Sequence, residues 1–234
     1  MLYVHFMGRD SGTPRRRTSS TAWQRDHPWA KVYDAITGNH LVGGLLWRIG
    51  MSSDLGLLHR IAATELSALA DGAAVLDLPC GGGVVLRDVP AELELRYVAA
   101  DISPAMLERT REEAAKLEVA ITTTEADVQA LHFADAEFDL VFSFTSLHCF
   151  PDPQKAIQEL ARVTRSGGRF VGSALLRGGP VRHRLTWLGG GAIGILGPGC
   201  TRDELTRWLS DAGIDGVVLT DSGAITYFAG TRAR

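Results

Sequence analysis

Asp77, Pro79, Cys80, Gly81 and Gly83 fall in one short run, VLDLPCGGG, at residues 75–83. An acid at the end of an apolar segment, followed at once by glycines, suits a nucleotide-like ligand. Glycines let backbone approach where a Cβ would repel it, and ligands of open α/β sheets bind beyond the carboxyl ends of strands. A second acid, Asp101, closes the next apolar segment, RYVAAD at 96–101. A carboxylate in that place accepts hydrogen bonds from two ribose hydroxyls. A plainer reading stands beside this one: the glycines only turn the chain, and Asp101 only precedes a helix cap. The dinucleotide pattern G-x-G-x-x-G, started at Gly81, needs glycine at position 86, which is Leu86.

The elements that must position these residues follow from periodicity. From Trp29 to Ala70 apolar residues recur at helical intervals, as in Leu55, Leu58, Ile61, Ala62, Leu66 and Leu69. Beyond them the pattern alternates between strands and helices. Strands are predicted at 73–78, 96–101, 120–127, 138–146 and 168–176. Helices are predicted at 103–117, with Ser103 as N-cap and Pro104 in the first turn, and at 152–164, capped by Asp152 and stopped by Ser166-Gly167-Gly168. A helix is also expected to start after the glycine run. Strands alternating with helices predict a parallel sheet covered on both faces. The end of the chain differs. A capping box, Thr201-x-x-Glu204, opens a helix that Gly213 stops, and strands at 215–221 and 224–232 are joined only by Ser222-Gly223. So short a link makes an antiparallel hairpin and not a crossover.

Taken together these segments resemble a class I S-adenosylmethionine-dependent methyltransferase, in particular the small-molecule, type 11-like group that includes quinone and lipid methylases. The family's first motif runs hydrophobic-hydrophobic-Asp-x-Gly-x-Gly-x-Gly, matched here by VLDLPCGGG; AADISPAML, EADVQALHF with ADAEFDLVFSFTSLHCF, and RVTRSGGRFVGSALL match the next three. The likeness is firm over residues 70 to 176 and looser over the last thirty. It implies a doubly wound, seven-stranded, mostly parallel α/β sheet (Rossmann-like) with an antiparallel C-terminal hairpin and an N-terminal helical cap. It also implies S-adenosyl-L-methionine as cofactor and a small, apolar methyl acceptor. Carried over by position, Asp77, Gly81 and Gly83 would surround the methionine moiety, in a loop that also holds Pro79 and Cys80. Asp101 would hold the ribose, Ile102 would lie against adenine, and Asp127 would accept the adenine amino group with Val128 beside it. Met106 and Ser143 would complete the cofactor-binding set, and Tyr33, paired with Trp29 on one helix face, would cover the cofactor unless both simply pack the core. Pro79 departs from the family, since it stands where the first glycine is usual and removes an N–H.

The same resemblance frames the search for a base. His148, after the 138–146 segment, is the leading candidate, with a hydrogen-bonded structural histidine as the alternative; His183 comes next, and His40 and His59 read as packing or solvent residues. The expected organisation is a disordered tail over 1–24 and a single domain over 25–234, with a helical cap at 25–70 and an insert or lid at 177–200 over an apolar acceptor pocket. Bulk properties narrow the partners. Net charge is −3 with no basic stripe, so nucleic acid is not expected. Three cysteines, Cys80, Cys149 and Cys200, have no metal-ligand spacing and, being odd in number, no disulfide framework, which together with the absence of a signal-peptide pattern predicts a cytoplasmic protein. The apolar stretch at 185–199 is too short to span a bilayer. A non-catalytic binder of the same fold and a nicotinamide-dependent oxidoreductase remain the alternatives.

Overall fold

A computed structural model describes residues 53–178 and 196–234. The tail, Trp29, Tyr33, His40, His183 and most of the cap and insert lie outside the described residues.

Seven strands form one sheet in the order β3-β2-β1-β4-β5-β7-β6. β1 (Ala74–Asp77), β2 (Arg96–Asp101), β3 (Thr122–Glu125), β4 (Phe138–Ser143) and β5 (Thr164–Leu175) run parallel to one another. β6 (Ile214–Ser222) and β7 (Ile225–Arg232) close the sheet as the antiparallel hairpin. β1 is buried along its whole length, as a central strand covered on both faces must be. On one face lie α1 (Leu55–Ser67) and α2 (Pro104–Leu117), which bury Leu58, Ala62, Leu66 and Leu107 against Val75, Tyr97 and Phe142. On the other lie α3 (Pro153–Val163) and α4 (Arg202–Asp211), which bury Ile157, Leu160, Leu205 and Leu209 against Leu76, Val98 and Phe170. Each such buried aliphatic side chain contributes roughly 1.5–3 kcal/mol.

The caps act as their residue types dictate. Ser103, Asp152 and Thr201 each accept a backbone N–H in the first turn of their helix, and Glu204 completes the box with Thr201. Three boundaries differ from expectation. No α-helix follows the glycine run; a single 3₁₀ turn, Leu86–Asp88, takes its place. Its bonds run three residues back (Leu86 to Gly83, Asp88 to Val85), and Pro90, two residues past the turn, stops the segment from continuing as a helix. α1 packs against this turn, and His59 Nδ1 meets Asp88 Oδ2 at 2.7 Å to tie the two together. Secondly, β4 stops at Ser143, since Thr145 turns the chain with φ +53° and the Ser143 and Ser146 hydroxyls bond to each other. Thirdly, β5 starts at Thr164, directly after α3, so the Ser166-Gly167-Gly168 stretch lies inside an irregular strand start and not before it.

The chain between β3 and β4 has no helix either, and Arg162 of α3 holds it. Its guanidinium donates to the Leu131 and Phe133 carbonyls and to the carboxylates of Asp135 and Glu159. Glu159 in turn accepts the Leu131 N–H. Removing the cation would leave Glu159, largely shielded from water, with only the more distant Lys155 ammonium, 3.9 Å away, as counter-charge. Arg162→Ala is therefore expected to cost roughly 2 kcal/mol, a fall in melting temperature of about 4–8 °C by calorimetry.

Candidate active site

Asp77, Asp101, Glu125 and Ser143 are the last residues of β1, β2, β3 and β4. They therefore share the carboxyl edge of the sheet, at the point where strand order reverses between β1 and its two neighbours. The glycine run lies over this edge and is pinned on both sides. Leu78 N–H donates to Phe142 O of β4, and Cys80 N–H donates to Ala100 O of β2. Pro79 sits between these two anchors, joined to Leu78 by a cis bond, at a position where neither anchor needs its N–H.

Asp101 is the hub. It is 6% exposed, its Oδ2 accepts the Gly81 N–H at 3.1 Å, and its Oδ1 accepts the Ser103 N–H at 2.9 Å. The carboxylate thus aligns the loop with the start of α2 and retains lone pairs for hydroxyl donors, because an ionised carboxylate offers about four acceptor sites. Burial nonetheless pushes its pKa up to about 6, against the lowering effect of those N–H bonds. Asp77 is deeper, and burial raises it to about 7, while the Tyr97 hydroxyl, donating to Oδ2 at 3.0 Å, opposes the rise.

The two run-end glycines differ in what surrounds them. Gly81 has φ +53°, and a Cβ added there would meet nothing within 4 Å. Gly83 has φ +79°, and its Cβ would lie 2.9 Å from Leu86 Cδ1 and 3.4 Å from Thr110 Cα. Gly81 therefore faces open space, whereas Gly83 faces the protein. Gly83 permits the packing of the 3₁₀ turn on α2. Cys80 is buried, its sulfur 3.4 Å from the Thr110 hydroxyl, which itself donates to Gly81 O at 2.6 Å.

The remaining sequence-based candidates divide. Ile102 follows Asp101 at the edge, and Met106 is buried in the first turn of α2. Val128 is buried beside exposed Asp127, whose Oδ1 accepts the Gln129 N–H at 2.9 Å. Ser143 is wholly buried and bonded to Ser146, so its hydroxyl is already engaged. Tyr33 lies outside the described residues. His148 lies in the loop after β4. It is buried, its Nδ1 accepts the Leu175 N–H at 3.1 Å, and burial lowers its pKa to about 4. With Nδ1 accepting, the neutral ring carries its proton on Nε2, which makes that nitrogen a donor and not a base.

Two residues escaped the sequence reading. Tyr97 lies on the same strand face as Ala99 and Asp101, so strand alternation alone would have aimed it at Asp77. Thr110 lies one helical turn beyond Met106 on the buried face of α2, a polar residue in an apolar stripe. Among the described residues no His, Cys, Asp or Glu cluster could hold a metal ion, and no helix is long and apolar enough to cross a membrane.

The raised carboxylates have a measurable consequence. A group whose folded pKa exceeds its unfolded value stabilises the fold at low pH and loses that contribution as pH rises through the folded pKa. For Asp77 and Asp101, near 7 and 6 against an ordinary 3.8, that loss begins near pH 4 and runs through about pH 6 for Asp101 and about pH 7 for Asp77. His148 acts in the opposite sense below pH 6.5. The ligand-free protein is therefore expected to melt roughly 2–4 °C higher at pH 6.5 than at pH 8, for about 1 kcal/mol, and Asp77→Asn to flatten that difference.

Comparison with known proteins fits this geometry. Residues 76–172 match the model of a family described as a methyltransferase domain. An uncharacterized chloroplastic methyltransferase of Arabidopsis thaliana is 35% identical over 124 residues, which is 50% of this chain and 35% of its own length. The 27-O-demethylrifamycin SV methyltransferase of Amycolatopsis mediterranei is 30% identical over 173 residues, 70% of this chain and 62% of its own. The chain thus spans about a third of the first relative's length and under two thirds of the second's. Among solved structures, a geranyl diphosphate methyltransferase in complex with S-adenosylmethionine shares the fold, with a TM-score of 0.63 at 17% identity over 86% of this chain and 95% of that one. Residues 76–172 are thus a methyltransferase domain, on a fold shared with an S-adenosylmethionine-bound methyltransferase.

Proposed function

We propose that this protein transfers the methyl group of S-adenosylmethionine to a small, apolar acceptor at the carboxyl edge of its sheet. The observation that carries the reading is the Asp101 carboxylate, bonded to Gly81 and Ser103 N–H groups beside the open space above Gly81. That arrangement fits an adenosyl ligand on two counts: Asp101 keeps acceptor capacity for ribose hydroxyls, and a Cβ at Gly81 would intrude on the space a ligand needs. Ile102, Met106, Val128 and Asp127 follow along the same edge and suit the adenine end. Asp77 suits the cationic amino-acid end.

The bound cofactor would supply an electrophilic methyl on a sulfonium. The chain's own contribution is then alignment, and positioning of this kind is worth of order 7–11 kcal/mol. His148 supports the strand-end loop in this reading, since its Nδ1 holds the Leu175 amide. A small-molecule acceptor is supported by the relative named for 27-O-demethylrifamycin SV. All three cysteines are free, in keeping with a reducing, cytoplasmic setting.

The test is incubation of the purified protein with methyl-labelled cofactor and fractionated small-molecule extracts. Label is expected in an organic-soluble product; label only in the unreacted cofactor across all fractions, despite bound cofactor, would favour the non-catalytic binder.

A further inference from the structure

Tyr97, the second residue of β2, is 2% exposed, and its hydroxyl is spent on a single carboxylate oxygen of Asp77, which is itself 2% exposed. Burying both groups is costly unless they are bonded, and the bond fixes which way the carboxylate points. A phenylalanine would fill the same apolar space between Val75 and Ala99 without that hydroxyl. We propose that Tyr97 is a positioning residue of the cofactor site: it holds one oxygen of Asp77, so that the carboxylate offers its other oxygen to the ammonium group of an amino-acid-bearing nucleoside.

This rests on the methyltransferase reading. The hydroxyl supports an anionic Asp77 in surroundings that oppose one. Burial and the nearby Asp101 both raise the Asp77 pKa, which reaches about 7 even with the Tyr97 bond in place. The other titratable groups around the pair are Cys80 of the glycine loop and Asp88 of the 3₁₀ turn, the latter paired with His59 of α1. None of these supplies a second donor to Asp77 that would replace the tyrosine. Loss of the hydroxyl should therefore move Asp77 toward its neutral form at physiological pH, where it attracts an ammonium group poorly.

Tyr97→Phe tests this with two ligands that share adenosine but differ at the sulfur end. S-adenosylhomocysteine carries the amino-acid group; methylthioadenosine lacks it. By calorimetry at pH 7.5, Tyr97→Phe is expected to weaken S-adenosylhomocysteine 5- to 10-fold and to leave methylthioadenosine within 2-fold. The pH at which S-adenosylhomocysteine affinity falls should also move upward. In the ligand-free protein, carboxyl-carbon NMR should show the Asp77 titration midpoint rising in the variant. Equal weakening of both ligands would assign Tyr97 a general role in loop structure and overturn the proposal, as would an unmoved Asp77 midpoint. Wild-type protein that binds methylthioadenosine but not S-adenosylhomocysteine would overturn it too. Binding of neither ligand by the wild type would overturn the methyltransferase reading itself, and that result is distinct from the others.

Discussion

Asp101→Asn is expected to weaken binding of S-adenosylhomocysteine at least about 100-fold, the largest single-residue effect in the site. Hydrogen bonds to a charged group contribute about 1.5–3 kcal/mol each, and this carboxylate is placed to accept two from ribose. Asparagine fails on a second ground. Both carboxylate oxygens already face N–H donors, Gly81 on one side and Ser103 on the other. The amide NH₂ must then point at one of them, donor against donor, which loosens the loop or the start of α2. The substitution also removes a buried charge whose raised pKa marks it as unfavourable to the fold at neutral pH. Binding and folding should therefore part company: affinity collapses while the protein stays folded by circular dichroism. Retention of affinity within 5-fold would exclude Asp101 from the ligand contacts.

The second large effect separates two glycines that look equivalent in sequence. Gly81→Ala places a Cβ in the open space over the sheet edge, at φ +53°, where the left-handed backbone costs an alanine roughly 1–2 kcal/mol. Its stability should fall by that amount, and S-adenosylhomocysteine affinity by more than 10-fold because the methyl occupies ligand space. Gly83→Ala carries the same backbone cost at φ +79° and adds a clash, with Leu86 Cδ1 only 2.9 Å away. Its larger loss should appear as a melting temperature lower by several degrees. Once allowance is made for the unfolded fraction, its affinity should fall less than that of Gly81→Ala. Paired calorimetry and thermal melts on the two variants check the contrast; equal affinity losses would mean that both glycines face the ligand.

The sequence carried the architecture far because the signals that set it are local. Thr201 with Glu204, Ser103 with Pro104, and the two-residue hairpin turn, read as Ser222-Gly223 and seated one residue later at Gly223-Ala224, each follow from chemistry within a few residues. What it hid depended on contacts across the sheet. The run Gly81-Gly82-Gly83 reads as a loop entering a helix, but Pro90 ends the segment after a single 3₁₀ turn, against which α1 from earlier in the chain packs. His148 reads as a base because its loop lies after β4. Only the pairing of that loop with β5 shows its Nδ1 already taken by Leu175. Asp77 and Asp101 were legible as an acidic pair, whereas the tyrosine that bonds one and the threonine that bonds the loop between them were not. Both sit in otherwise apolar stripes, where periodicity registers only their burial.

The most direct test of the central claim is a crystal structure of the protein with S-adenosylhomocysteine. The site described here requires both ribose hydroxyls within hydrogen-bond distance of Asp101, about 2.6–3.2 Å, and the thioether over Gly81. Ligand density elsewhere, or at this edge with Asp101 bonded only to Gly81 and Ser103, would contradict it.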